Sequence, residues 1–148
     1  MNDIVKVIPM SPAHIPALAA LERECFSDPW SEKALAEELD VPSAVFLTAL
    51  MGEEVAGYMG AHYLGDSVYV CNIAVFPAFR RQSVASALLA AHMAKARERG
   101  MKEITLEVRV SNAAARSLYE KRGFENRGIR PRFYSDPEEG AAIYTLAL

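Results

Sequence analysis

The sequence has 148 residues, of which 51% are apolar and 24% are charged, and its formal net charge is −3. These values are typical of one soluble globular domain, and they exclude a low-complexity or strongly charged disordered chain. No apolar run is long enough for a signal peptide or a membrane span, and a net acidic chain without a lysine-rich stripe does not suit a nucleic-acid-binding module.

The hydrophobic pattern predicts seven strands and four helices. In chain order they are expected at 4–8 (strand), 14–25 and 32–39 (helices), 45–50, 54–62 and 67–75 (strands), 83–99 (helix), 103–110 (strand), 112–122 (helix), and 124–129 and 142–148 (strands). Ser31 is placed to cap the second helix, and Gly100 and Gly123 to end the third and fourth. Hairpins followed by a β-α-β crossover predict a mixed sheet with helices packed on it, an α/β (α+β) fold.

The charged residues are unevenly distributed along the chain. Residues 1–60 carry 10 acidic and 3 basic side chains, whereas residues 61–148 carry 9 acidic and 13 basic ones. The acidic part suits a basic partner and the basic part an anionic ligand, although a solvated surface would have the same composition. We expect a cytoplasmic, monomeric protein with one domain over residues 1–148 and no contact with membranes or nucleic acid.

The cysteines and histidines form no metal-binding pattern. Cys25 and Cys71 are the only cysteines, and His14, His62 and His92 do not cluster with them along the sequence. Zinc and redox sites need such clusters at defined spacings. We therefore expect two reduced thiols and no metal site.

Residues 78–85 lead from the fourth predicted strand into the longest predicted helix. The start of a helix offers unpaired backbone N–H groups and a positive dipole end, which bind phosphate. Small residues at and after Ser83 would let a ligand approach the backbone closely, and Arg80 and Arg81 add charged donors. A basic cap on an amphipathic helix is the alternative.

The pattern Arg80-x-x-Ser83-x-Ala85 resembles the Arg/Gln-x-x-Gly-x-Gly/Ala pyrophosphate turn of the GNAT acetyltransferases, and residues 72–77 resemble the strand before that turn. The family usually has glycine where this chain has Ser83. The resemblance implies acetyl-CoA as co-substrate and a mostly antiparallel sheet of about seven strands with about four helices. In that fold the two central strands splay apart in a V, and the pantetheine arm lies between them. The positions expected to contact acetyl-CoA are Ile73, Ala74, Val75, Arg80, Arg81, Gln82, Ser83, Val84, Ala85, Asn112, Ala115 and Tyr119.

Residues 106–124 form the most specific stretch, and they closely resemble the corresponding block of the RimI-type enzymes of that family. Residues 29–33 and 130–134, the latter followed by Glu139, also resemble those enzymes, which often carry aspartate at the position of Gly140. The resemblance implies transfer of acetyl from acetyl-CoA to the N-terminal amine of a protein. The acceptor it implies is ribosomal protein S18, with an N-terminal alanine followed by basic residues.

Strand alternation places Glu107 on the face opposite Ile104, Leu106 and Val108. Asn112, Ala115 and Tyr119 share one face of the next helix. From the residues alone, a solvated glutamate, a capping asparagine and a half-buried tyrosine are the favoured interpretation.

The family resemblance gives these residues catalytic roles. It implies that Glu107, directly or through a water, removes the amine proton, that Tyr119 protonates the leaving thiolate, and that Asn112 holds the cofactor arm. Backbone N–H groups at a break in the strand at 73–75 would stabilise the developing oxyanion. No covalent acetyl-enzyme is implied, so Cys71 is not a nucleophile.

Trp30 and Tyr134, with Phe133 beside it, are candidates to line a peptide channel, and plain core packing is the alternative. Two other functions stay open. One is acetylation of a lysine side chain or a small amine, and the other is a non-catalytic CoA-binding module. The presence of both Glu107 and Tyr119 favours an enzyme.

Overall fold

One mixed sheet organises the part of the chain that the computed structural model describes, residues 4–80 and 83–148. Its strands are β1 (Val5–Pro9), β2 (Ala44–Met51), β3 (Glu54–Leu64), β4 (Ser67–Val75), β5 (Glu103–Arg109), β6 (Glu125–Tyr134) and β7 (Glu139–Ala147). They lie in the order β1-β2-β3-β4-β5-β7-β6. The β4–β5 pair is parallel and every other neighbouring pair is antiparallel. The predicted mixed α/β sheet is confirmed.

Four α-helices connect and cover these strands within the described residues. They are α1 (Ile15–Cys25), α2 (Glu32–Glu38), α3 (Val84–Glu98) and α4 (Ala113–Lys121), with 3-10 turns at Pro12–His14 and Pro77–Phe79. Ser31 caps α2 as predicted, since its hydroxyl accepts the Ala34 N–H at 3.0 Å. Gly100 and Gly123 follow α3 and α4 with φ of 72° and 96°, which glycine adopts without strain. None of these helices is long and apolar enough to cross a membrane.

The last hairpin differs from its prediction. The strands were expected at 124–129 and 142–148, but β6 continues to Tyr134 and β7 begins at Glu139. Locally the segment has the proline, glycine and charge content of a loop. Tertiary contacts hold it as a hairpin, because Arg109 of β5 donates to the carbonyls of Pro137 (2.9 Å) and Ser135 (3.2 Å).

The sheet separates two apolar clusters. The larger lies under α3 and α4 and includes Leu88, Leu89, Ile104, Leu106 and Val108. The smaller lies under α1 and α2 and includes Leu18, Leu21, Leu35, Phe46 and Tyr58. Since alternate residues of β5 face the larger cluster as predicted, the residues between them face the α1–α2 side.

The two central strands part soon after they meet. The β4–β5 register runs only from Ser67 opposite Glu103 to Tyr69 opposite Thr105. Beyond that point β4 continues to Val75 and β5 to Arg109 without pairing to each other, which opens a V-shaped gap. The predicted splay is therefore confirmed. A β-bulge accompanies it, since Asn72 lies opposite Gly60 while Val70 lies opposite Ala61, and Cys71 is the extra residue.

His92 of α3 is buried between the helix and the sheet. Its Nε2 lies 2.9 Å from the Met59 carbonyl, which can only accept, so Nε2 carries the hydrogen. Its Nδ1 then accepts from the Tyr63 hydroxyl at 2.9 Å. Burial lowers the pKa of His92 to about 4, so the ring is neutral in the folded protein at neutral pH.

We predict that stability falls as the pH drops from about 6.5 to about 4, because His92 binds a proton more readily in the unfolded chain than in the fold. At pH 5 its share of the loss is about 2 kcal/mol. The free energy of unfolding in urea is measured at each pH for the wild type and for His92→Gln, which keeps a donor and an acceptor. The difference between the two pH dependences is the share of His92, because all other groups titrate in both proteins. Equal pH dependence in the two proteins would contradict the assignment.

Candidate active site

Backbone groups at the end of β4 face the gap between β4 and β5. The Phe76 N–H donates to the Ala56 carbonyl at 2.8 Å, so by strand alternation Ile73 and Val75 direct their backbone groups away from β3 and toward the gap. The Ile73 N–H is already accepted by the Asn72 side-chain carbonyl at 3.1 Å. Of the backbone donors expected at 73–75, the Val75 N–H is therefore better placed than the Ile73 N–H to bind a group in the gap. The irregularity of the strand lies earlier than expected, at Cys71.

The start of α3 lies close to this end of β4 in sequence. Ser83, the residue before α3, has φ 64° and ψ 19°, a left-handed conformation that costs a side-chain-bearing residue about 1 kcal/mol or more. Its side chain makes no capping hydrogen bond. Val84 is buried and Ala85 half-buried, while Arg81 and Gln82 lie outside the described residues. A backbone turned this way directs N–H groups outward, as an anion site requires.

Arg80 is braced against the protein. Its Nε donates to the Val75 carbonyl at 3.2 Å, and its Nη2 lies 3.4 Å from the Cys25 sulfur. The guanidinium thus joins the end of β4 to the end of α1 at the mouth of the gap. The expected role of Arg80 in phosphate binding stays a prediction, and the structure adds a second role in fixing the strand.

Glu107 lies on the opposite wall of the gap with only 7% of its side chain exposed. The Tyr69 hydroxyl donates to its Oε2, and Arg130 Nη2 lies 3.9 Å from its Oε1. Partial burial, and then this carboxylate, raise the pKa of Tyr69, so the phenol stays a donor at neutral pH. The carboxylate is therefore oriented by neighbours on both oxygens.

Tyr134 lies within electrostatic reach of both Glu107 and Tyr119. Burial, and then the Glu107 charge, raise the pKa of Tyr134 to about 12, and Arg109 covers its ring at 4.5 Å. Burial, and then Tyr134, raise the pKa of Tyr119. The Tyr119 ring packs on Phe124 at 5.7 Å, and its hydroxyl has no hydrogen-bond partner among the described residues. The structure thus links the two predicted proton-handling residues through Tyr134.

Three other positions singled out in the sequence, Asn112, Cys71 and Gly140, have the following surroundings. Asn112 caps α4, since its Oδ1 accepts the Ala115 N–H at 3.1 Å. Burial raises the pKa of Cys71 to about 12, so its thiol is not ionised at neutral pH. Within residues 4–80 and 83–148, no three His, Cys, Asp or Glu side chains come together as metal ligands. Gly140 lies tightly against Ile129, whose methyl group would be 3.2 Å from an added Cβ.

An acidic cavity of about 400 Å³ lies beside Trp30. Its lining residues are Asp28, Pro29, Trp30, Ser31, Ala34, Glu37 and Glu38. Trp30 packs on Phe46 with ring centres 5.8 Å apart, and His62 Nε2 lies 3.2 Å from Glu38. Three acidic residues of the N-terminal part therefore line one cavity. The uneven charge of the sequence indicated an acidic surface but not its position.

Sequence reasoning missed several side chains of this region. Tyr69, Arg130 and Arg109 contact predicted site residues, yet none was assigned a role. The contact of Tyr69 with Glu107 depends on the parallel register that sets Tyr69 beside β5. Arg109 and Arg130 depend on how the last hairpin folds back, which no local pattern indicates.

Comparisons with known proteins agree with this geometry. Residues 15–124 match the sequence model of the acetyltransferase (GNAT) family. The [ribosomal protein bS18]-alanine N-acetyltransferase of Escherichia coli K12 is 35% identical over 136 residues, which cover 90% of this chain and 91% of that protein. The protein of the same name from Haemophilus ducreyi is 33% identical over 88% of this chain and 92% of its own length. The crystal structure of the ribosomal-protein-S18-alanine N-acetyltransferase from Escherichia coli superposes with a TM-score of 0.88 at 31% identity, covering 97% and 94% of the two chains.

We predict that Ser83→Gly stabilises the protein by about 1 kcal/mol, because glycine adopts the left-handed conformation of residue 83 without strain. Binding of acetyl-CoA should tighten as well, since the hydroxymethyl group no longer limits approach to the backbone. Thermal unfolding and calorimetric titration with acetyl-CoA measure the two effects.

The matched control is Ser86→Gly inside α3, where glycine should destabilise by about 0.5 kcal/mol, the difference between the helix propensities of serine and glycine. If Ser83→Gly also lowered the melting temperature, the left-handed conformation of residue 83 would be wrong.

Proposed function

The chain belongs to the acetyltransferase (GNAT) family of acetyl-CoA-dependent N-acetyltransferases, and we propose that its acceptor is the N-terminal α-amine of a protein, ribosomal protein bS18. The observation that carries the proposal is the gap itself. Its walls carry Glu107, which accepts from Tyr69 and lies 3.9 Å from Arg130, and the backbone edge at the end of β4, in a chain 35% identical to a bS18-alanine N-acetyltransferase. One catalytic domain over residues 1–148 is part of the same proposal.

Glu107 is the proposed general base. An α-amine has a pKa near 8, about two units below that of a lysine side chain, so a carboxylate suffices to take its proton at neutral pH. Tyr69 and Arg130 contact both carboxylate oxygens and leave only 7% of the side chain exposed, which favours transfer through one bridging water. The proton then resides on Glu107 or passes to solvent.

Val75 and Tyr119 complete the transfer in this proposal. As the amine nitrogen forms its bond to the thioester carbon, the Val75 N–H stabilises the negative charge that develops on the carbonyl oxygen. The carbon–sulfur bond breaks, the Tyr119 hydroxyl donates its proton to the departing sulfur, and the proton that the new amide nitrogen releases restores the phenol by way of solvent. Burial keeps Tyr119 protonated until that moment, because it raises the pKa of the phenol. The expected contacts of acetyl-CoA with Arg80, the start of α3 and Asn112 belong to the same proposal.

The acidic cavity is the proposed entry for the acceptor. Asp28, Glu37 and Glu38 would attract a peptide with basic residues after its first residue, and Trp30 gives the cavity an apolar wall. Tyr134 interacts electrostatically with Glu107 and with Tyr119, and we place it next to the acceptor amine. A lysine side chain as acceptor would need a stronger or more exposed base, because its amine holds its proton more tightly.

We predict that the protein acetylates a peptide with the bS18 N-terminus on its α-amine and leaves unmodified a matched peptide with a blocked N-terminus and an internal lysine. Glu107→Gln and Tyr119→Phe should each lower kcat by about 100-fold, the range of general acid–base catalysis. Mass spectrometry locates the acetyl group, and initial rates give kcat.

The outcomes separate the alternatives. Acetylation of lysine in both peptides would keep the chemistry and replace the acceptor. Tight acetyl-CoA binding without any transfer would indicate a different amine or a CoA-binding module. Wild-type rates in Glu107→Gln would remove Glu107 as the base.

We also predict that Tyr69→Phe lowers kcat about tenfold, because Glu107 loses the hydroxyl that orients Oε2. Since Tyr69 is 42% exposed, the variant should fold normally and bind acetyl-CoA as the wild type does. Steady-state kinetics with calorimetric titration of acetyl-CoA give both quantities. A parallel loss of acetyl-CoA affinity would show that Tyr69 supports the cofactor and not the base.

A further inference from the structure

Glu22 is a fully buried carboxylate on the inner face of α1, between the apolar residues Leu18 and Leu21 and the sheet. Burial raises its pKa, while hydrogen bonds from the Trp30 backbone and the Tyr58 hydroxyl act in the opposite direction. A buried carboxylate loses its hydration, and an apolar side chain of similar volume usually stabilises a fold at least as well. Packing alone therefore does not explain a glutamate at this position.

The two oxygens of Glu22 have different partners. Oε2 accepts from the Tyr58 hydroxyl of β3 at 2.7 Å and from the Asn72 side-chain amide of β4 at 2.5 Å. Oε1 accepts from the Trp30 backbone N–H, in the segment between α1 and α2, at 2.9 Å. One oxygen is thus tied to the sheet and the other to the segment at residues 26–31.

The bulge at Cys71 brings Asn72 to this carboxylate. Val68 and Val70 of β4 face the larger apolar cluster, and without an extra residue Asn72 would face it too. The bulge reverses the alternation, so Asn72 turns toward α1 while Ile73 faces the larger cluster. The Asn72 side chain then accepts the Ile73 N–H with its oxygen and donates to Glu22 with its nitrogen. Glu22 therefore fixes β4 where it borders the gap.

The segment held by Oε1 forms part of the acidic cavity. Asp28, Pro29, Trp30 and Ser31 all line it. This segment forms no strand pairing with the sheet, and the indole of Trp30 packs on Phe46. The backbone bond to Glu22 is the polar link that sets its distance from β4.

We propose that Glu22 is a positioning residue for the acceptor: it fixes the segment at residues 26–31, one wall of the acceptor cavity, relative to β4, one wall of the gap. The inference rests on the proposed function, since it assigns the cavity to the acceptor. Glu22 itself exchanges no proton with the substrates. It sets how far a peptide that enters beside Trp30 lies from the backbone edge of Val75.

Glu22→Gln tests this role with almost no change in volume. A carboxamide has one accepting oxygen, and two donors converge on the Oε2 position, so its NH2 group turns toward the Trp30 N–H. The NH2 group of the glutamine and the Trp30 N–H are both donors, so they repel each other, and the segment at residues 26–31 loses its bond to residue 22. We expect the KM for the acceptor peptide to rise about tenfold, while the Kd for acetyl-CoA changes less than about twofold.

Tyr58→Phe is the matched control, because it removes one donor from Oε2 and leaves the Trp30 bond in place. It should lower the melting temperature and leave the peptide KM within about twofold of the wild type. A rise in KM in both variants in step with their loss of stability, or an unchanged KM in Glu22→Gln, would overturn the proposal.

If Glu22→Gln does not fold, the double variant Glu22→Met/Tyr58→Phe replaces the buried charge and its phenol donor with apolar groups. A stable double variant with wild-type peptide KM would also overturn the proposal, and a raised KM would support it.

Hydrogen exchange separates this inference from the proposed function. Amides of residues 26–31 should exchange faster in Glu22→Gln than in the wild type and Tyr58→Phe, whether or not any peptide is acetylated. Unchanged exchange overturns the positioning role. Failure of the wild type to acetylate the bS18-type peptide overturns the proposed acceptor only.

Discussion

The structure depends on the parting of β4 and β5 after three paired residues. Strands that separate inside a sheet leave backbone groups without partners, and such groups are costly unless something else bonds them. Here the Asn72 side chain accepts the Ile73 N–H, and Arg80 donates to the Val75 carbonyl. These two contacts bond backbone groups at the gap from within the protein, and the edge that remains is the place that we propose for an extended acetyl-CoA arm, as a strand is added to the edge of a sheet.

The bulge at Cys71 gives β4 a different environment on each side of this opening. Before it, Val68 and Val70 face the α3–α4 cluster, and after it Asn72 and Ala74 face α1. The polar side chain of Asn72 therefore lies at the bulge. The side chains of Tyr69 and Glu107 meet just beyond the last paired residues of β4 and β5. The one inserted residue, Cys71, thus determines which side chains of β4 face α1 where the strand borders the gap.

The sequence pattern predicted what local signals encode. The order of elements, the Ser31 cap, the glycines after α3 and α4 and the inward face of β5 all follow from periodicity and turn chemistry. The longer β6–β7 hairpin did not, because the bonds that hold it come from Arg109, which lies 28 and 26 residues before its two acceptors in sequence. Tyr69 and Glu22 were missed for the same reason, since their contacts depend on strand register and on the bulge. The left-handed conformation of Ser83 was also not predicted from its residue type, because serine does not favour it.

The contrast between the two carboxylates shows why geometry must accompany chemistry in assigning the base. Among the described residues, Glu22 is the carboxylate with a pKa that burial raises. A perturbed pKa is a common sign of a catalytic group. Yet Glu22 is fully buried, and its three donors, the Trp30 N–H, the Tyr58 hydroxyl and the Asn72 amide, are neutral. Glu107 has a cationic neighbour in Arg130 and lies on the wall of the gap itself. A base must reach the proton that it removes, so we assign that role to Glu107, which borders the gap, while Glu22 acts through the position of the strand and segment that it joins.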